Sequence, residues 1–177
     1  MQVVLLSTYD LGRQPFGLAT ACAWLERAGH GVHASDLAVE ELPEAALAES
    51  SLVVFYLPMH TAARVAIERL DEVQRRAPGA CKVACGLYAP LAADELRRRG
   101  FVAMLGGEFE AELVRIADAL AAGAEVEGGV ITSLARLDHP VPQRGGLPPL
   151  SRYAKRRARI STSSPSCCRN VTAASRR

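Results

Sequence analysis

The segment Gly106-Gly107-Glu108-Phe109-Glu110-Ala111-Glu112 concentrates residue types that could do chemistry. Paired glycines permit a tight turn and let a ligand approach the main chain closely, while a helix start beyond them presents free N–H groups. Glu108, Glu110 and Glu112 are candidate acid–base groups, and they equally complement the positive end of a helix. His60, just past an apolar run, could serve as acid, base or hydrogen-bond donor, or simply cap the helix that follows. The polar stretch from Ser7 through Thr8, Tyr9, Asp10, Leu11 and Gly12 to Phe16 is long enough to line one side of a ligand. Familiar catalytic signatures do not surround these residues. There is no G-x-G-x-x-G, no G-x-x-x-x-G-K-[ST], no ordered Ser/His/Asp or Cys/His set, and the four histidines lack metal-ligand spacing. Cys22, Cys81, Cys85, Cys167 and Cys168 form neither a disulfide framework nor a C-x-x-C pair, and the first three read as small buried hydrophobes. Neither a catalytic residue nor a metal site is expected from spacing.

The elements that must position these residues alternate strictly. Apolar strands are predicted at Val3–Leu6, Val32–Leu37, Leu52–Leu57, Cys81–Cys85 and Phe101–Leu105. Helices are predicted over Pro15–Ala28, Pro43–Ala48, Thr61–Arg76, Ala92–Arg99 and Glu108–Ala121, with Gly29 and Pro78-Gly79 as breakers. Strands apolar on both faces and separated by helix-length crossovers call for a parallel sheet covered on both sides. The fold class is therefore α/β: a doubly wound, flavodoxin-like or Rossmann-like sheet of five parallel strands, with right-handed crossovers and the order 2-1-3-4-5 as the common solution. Its ligand edge is the C-terminal end of the strands. Val126–Leu134 reads as a further short strand or hairpin bent at Gly128-Gly129.

Across 177 residues, 49% apolar and 23% charged content suffices for one sizeable core. No apolar run approaches the ~20 residues of a membrane span, and Met1 leads straight into a strand with no secretory signal, so a cytoplasmic protein without membrane association is expected. The charge is uneven: residues 1–150 carry 13 basic and 19 acidic groups, net −6, whereas 151–177 carry eight basic and no acidic groups. The chain divides into an α/β domain at 1–137, a connector at 138–151 rich in Pro and Gly, and a basic tail at 152–177 whose composition reads as disordered. The tail has no aromatic residue beyond Tyr153 for base stacking, so nucleic acid is not an expected partner.

This order of motifs resembles the N-terminal cobalamin-binding domain of B12-dependent radical SAM proteins, over roughly residues 3–150. The matching pieces are Val3-Val4-Leu5-Leu6-Ser7-Thr8, Pro15-Phe16-Gly17-Leu18-Ala19, Ala28-Gly29-His30 with Val32, Cys85-Gly86-Leu87-Tyr88-Ala89 and Gly107-Glu108-Phe109-Glu110. The last, a Gly-Glu-x-Glu helix start, is the most specific; Leu113–Leu120, Gly128-Gly129-Val130-Ile131 and the connector Leu147-Pro148-Pro149-Leu150 follow it. The resemblance implies a corrinoid across the C-terminal edge of the sheet, its nucleotide tail running beside the glycine turns. It implies contacts from Thr8, Tyr9, Asp10, Leu11, Gly12 and Pro15, from Pro58, Met59, His60 and Thr61, from Gly86, Leu87 and Tyr88, and from Gly106, Gly107 and Glu108. Two departures follow. Gly12 stands where a cobalt-ligating histidine of the Asp-x-His-x-x-Gly motif would be, so cobalamin without a protein histidine ligand is expected. The C-x-x-x-C-x-x-C set for a [4Fe–4S] cluster is absent, so the cluster and S-adenosylmethionine belong to a full-length relative or to a radical SAM barrel supplied in cis or in trans. The tail then reads as the end of a truncated or frameshifted chain. The alternatives are a flavodoxin-like regulatory or interaction domain without corrinoid, and an enzyme using the same edge for a nucleotide or sugar.

Overall fold

The computed structural model describes residues 1–153; the basic tail beyond Tyr153, with Cys167 and Cys168, lies outside the described residues. Six strands form one sheet: β1 (Gln2–Ser7), β2 (Gly31–Asp36), β3 (Leu52–Tyr56), β4 (Cys81–Cys85), β5 (Ala103–Gly107) and β6 (Gly129–Ser133). The helices α1 (Phe16–Arg27), α2 (Glu44–Glu49), α3 (His60–Arg76), α4 (Ala93–Arg98) and α5 (Glu110–Ala121) occupy the crossovers. A single 3-10 turn at Pro90–Ala92 precedes α4. The strand order is β2-β1-β3-β4-β5-β6, and every neighbouring pair is parallel. No helix among the described residues is long and apolar enough to cross a membrane.

Alternation along the strands divides the core. Val3, Leu5, Leu52, Val54, Val83, Cys85, Ala103 and Leu105 face α1 and α5. Val4, Leu6, Val53, Phe55, Ala84 and Met104 face α2, α3 and α4. Both faces are dry, which is why the strands read as continuous apolar runs.

The sheet has six strands where five with a terminal hairpin are expected, and the sixth corrects the hairpin expectation. β6 is preceded by a helix and pairs parallel with β5, Ala103 opposite Gly129 and Gly107 opposite Ser133. A hairpin needs its partner strand to precede it directly; here α5 intervenes, and the strand returns in the same direction. The crossover hand also departs from expectation. Helices α3 and α4 carry the chain outward along the sheet on one face, whereas α5 carries it onward in the same direction on the opposite face. The β5-α5-β6 unit therefore has the hand opposite to its neighbours, against the strong preference for a single hand. Packing of Leu113, Ile116 and Ala117 into the α1 side of the core holds α5 there.

This arrangement revises the Gly106-Gly107 turn. Both glycines lie inside β5, and the turn falls at Glu108-Phe109. A Cβ on Gly107 would stand 2.0 Å from the Ser133 carbonyl oxygen, with the backbone at φ 66°. We predict that G107A costs at least about 2 kcal/mol and raises hydrogen exchange in β6, whereas G123A, at φ 68° with nothing within 4 Å, costs only about 1 kcal/mol. Urea unfolding of the two variants checks this, and equal losses would show that backbone strain alone, without the steric contact, decides.

Candidate functional site

Because the strands are parallel, the loops after β1, β3, β4 and β5 gather at one edge, and the chain switches direction between β1 and β3. The β1–α1 loop closes a turn in which the Arg13 N–H donates to the Asp10 carbonyl at 2.8 Å. Its central residues are Leu11 at φ 51° and Gly12 at φ 70°, both left-handed. Leu11 is the only non-glycine with positive φ among the described residues, and its side chain is 58% exposed. Left-handed backbone costs a non-glycine residue roughly 1–2 kcal/mol. Phe16, Leu87 and Leu91, at 56%, 74% and 76% exposure, share this edge with half-buried Met59 and Tyr88. Exposed His60 stands edge-on to Tyr88 with ring centroids 5.4 Å apart. Four of the large exposed apolar side chains thus crown the ends of β1 and β4.

Several residues expected at a ligand point inward. Thr8 is buried and donates to the Ala62 carbonyl at 2.7 Å, tying the end of β1 to α3. Pro15 is buried ahead of α1, Tyr9 is half-buried against the α3 side of the core, and Pro58 is half-buried; Thr61 is exposed in the first turn of α3. The glycines are occupied by the protein itself: a Cβ on Gly86 would meet the Leu57 carbonyl at 2.8 Å, and one on Gly106 would meet Pro90 at 2.6 Å and Thr132 at 3.1 Å. Each glycine is therefore accounted for by close internal approach. Glu108 precedes α5 rather than opening it; its N–H donates to the Ser133 carbonyl at 2.8 Å and its side chain is exposed.

Sequence reasoning left Tyr56 and His139 out of the candidate site and read Glu110 only as a candidate acid–base group or helix-start charge. The Tyr56 ring covers Gly17, where a Cβ would lie 2.3 Å from the ring, filling the space between α1 and the sheet. Burial chiefly, with the charges of Asp10, Cys85 and Glu110, pushes its phenol up to about 12, against a hydrogen bond from the Gly17 backbone. Glu110 is 5% exposed; one carboxylate oxygen accepts from Thr20 Oγ1 at 2.8 Å and the other, Oε2, has no partner. An unmatched buried acceptor costs roughly 1–3 kcal/mol. His139, from the connector, lies 3.0 Å from Glu108 through Nε2 and receives the Trp24 indole N–H at 3.2 Å. The connector is docked on the domain: Leu147 enters the α1 side of the core, and the Gln143 N–H donates to the Ala19 carbonyl. A cavity of about 550 Å³ opens between α1, the start of α5 and this connector, lined by Phe16, Thr20, Glu108, Glu110, His139 and Pro140 among others. The signal for Glu110 was present: it shares the apolar face of α5 with Leu113 and Ala117.

At the far side of the edge, Asp36 is fully buried at the end of β2, and Oδ1 accepts from the Ala38 N–H at 3.2 Å. The Ser7 and Tyr153 hydroxyls lie near enough to favour its charge, without closing a well-formed bond to Oδ2. Burial outweighs these donors and raises its pKa; burial and the charge of Asp36 likewise raise Asp10, against Arg13. The thiols of Cys22, Cys81 and Cys85 are all raised by burial, which leaves them unreactive. No protein-family model, no curated protein and no solved structure matches this chain.

The raised pKa of Asp36 has a definite sign. The folded chain holds the proton more tightly than the unfolded chain, so stability falls as pH rises from the ordinary value of 3.8 through the folded value. D36N is expected to gain stability relative to the parent at about pH 7 and to lose that gain at about pH 3, by urea unfolding at both; a gain that does not change with pH would contradict it.

Proposed function

We propose that this chain is a corrinoid-binding module whose sheet edge receives one face of the corrinoid ring and presents the other to a radical SAM barrel in cis or in trans. The observation that carries this reading is the strained, exposed Leu11 at the head of an apolar crown, positioned where doubly wound sheets bind ligands. A flat ring with a large apolar face suits Leu11, Phe16, Leu87 and Leu91, with Met59 and Tyr88 between them. The connector returns residue 153 to this edge, where Tyr153 packs beside Asp36, so a following or separate barrel would meet the ring from the same side.

The fit is one-sided. The crown suits the ring, but the expected path of the nucleotide tail along Gly86, Gly106 and Gly107 is taken by Leu57, Pro90 and Ser133. The tail therefore lies elsewhere, outside the glycine turns. When bound, a corrinoid supplies cobalt chemistry; this chain binds and orients the ring and keeps water from the covered face. Gly12 offers no side-chain ligand to cobalt from the first loop. The same filled glycine turns favour a second reading, in which the crown docks a protein domain and no corrinoid is held.

Hydroxocobalamin and dicyanocobinamide, which lacks the nucleotide, are the discriminating probes. The corrinoid reading expects both to co-elute with the protein after desalting; elution of the protein without corrinoid absorbance in either case favours the second reading. L11N should be more stable by roughly 1 kcal/mol and should bind either corrinoid roughly tenfold more weakly. A variant with unchanged affinity would remove Leu11 from the site.

A further inference from the structure

The geometry points to a site for one divalent transition-metal ion, formed by Glu108, Glu110 and His139 in the cavity between α1 and the connector. One oxygen from each carboxylate and one ring nitrogen of the histidine lie within 4.8 Å of one another, a spacing that a single ion can bridge. The three residues line the same cavity of about 550 Å³, which leaves room for water or a small ligand on the ion. The independent pointer is Glu110 Oε2. It is buried with no hydrogen-bond partner, while Thr20 holds the other oxygen and fixes the carboxylate plane. Among the described residues neither glutamate has a Lys or Arg partner within 4 Å. Two carboxylates, one of them buried, and one histidine therefore line a single cavity.

The donor set selects the ion. Imidazole with carboxylates suits Mn²⁺, Fe²⁺ or Zn²⁺, whereas Mg²⁺ and Ca²⁺ prefer all-oxygen surroundings. Trp24 supplies a built-in reporter. An indole N–H only donates, so His139 Nδ1 accepts it and the neutral ring carries its proton on Nε2, where it is donated to Glu108. An ion bound at Nε2 needs that lone pair. The ring proton must then move to Nδ1, which turns an acceptor into a donor and breaks the Trp24 bond. Trp24 is the single tryptophan of the chain, so its emission reports on the surroundings of this bond.

The test is titration of the purified chain with Mn²⁺, following free Mn²⁺ by electron paramagnetic resonance and Trp24 by fluorescence. Mn²⁺ binds thiolates poorly, which keeps the cysteines out of the measurement. Expected are one ion per chain, a coincident change in Trp24 emission, and affinity lowered more than about tenfold in E110Q and in H139A. E110Q can keep the Thr20 bond, and E108Q changes an exposed side chain, so at least one variant remains folded by circular dichroism. Absence of binding at millimolar Mn²⁺, equal affinity in all variants, or equal competition by Mg²⁺ would each overturn the proposal.

Discussion

The Ser133 carbonyl lies where any side chain on Gly107 would have to stand, and that contact sets much of what surrounds it. It lets β6 close against β5 to the very end of the strand, so the turn is pushed out to Glu108-Phe109 and α5 begins only at Glu110. With that register, Glu110 enters the core face of α5 beside Thr20, and Glu108 is left outside it. The unusual hand of the last crossover follows from α5 packing on the α1 face while β6 joins the outer edge of β5, and glycines at 107 and 128 allow close approach to the Ser133 and Val102 backbones.

Two surfaces result, with different chemistry. The ends of β1 and β4 carry an apolar crown led by a mostly exposed leucine in left-handed backbone, an arrangement that costs stability. Beside it, the α1–α5 groove sets Glu108, Glu110 and His139 among the apolar side chains of Phe16, Pro140, Val141 and Pro142, and is roofed by the connector. Tyr56 lies over Gly17 between α1 and the sheet, and Phe16 belongs to both surfaces. A ligand at the crown therefore meets side chains rather than the glycine backbone, which is the reverse of what a glycine-rich edge suggests.

Much of the fold was legible because both sheet faces are buried: the apolar runs marked strands β1 to β5, and the breakers fixed the helices between them. The β6 strand was visible as a short apolar segment but not its partner, since a half-exposed five-residue strand has the same local pattern in a hairpin as in a parallel edge. The glycines were correctly singled out and their role reassigned, because a sequence shows that a close approach is needed and not what approaches. The burial of Glu110 could have been found from its place on an apolar helical stripe, and Tyr56 from its alternation with Leu52 and Val54. His139 could not, since nothing local links it to a glutamate 31 positions away.

The central claim is that the crown, and no other part of the surface, receives the corrinoid. Methyl NMR of the protein titrated with hydroxocobalamin tests it directly. The account predicts shifts confined to Leu11, Met59, Leu87 and Leu91, with Val130, Leu134 and Val141, which are also exposed, unmoved. Saturating hydroxocobalamin that leaves the crown methyls unchanged, or moves the second set instead, would contradict it.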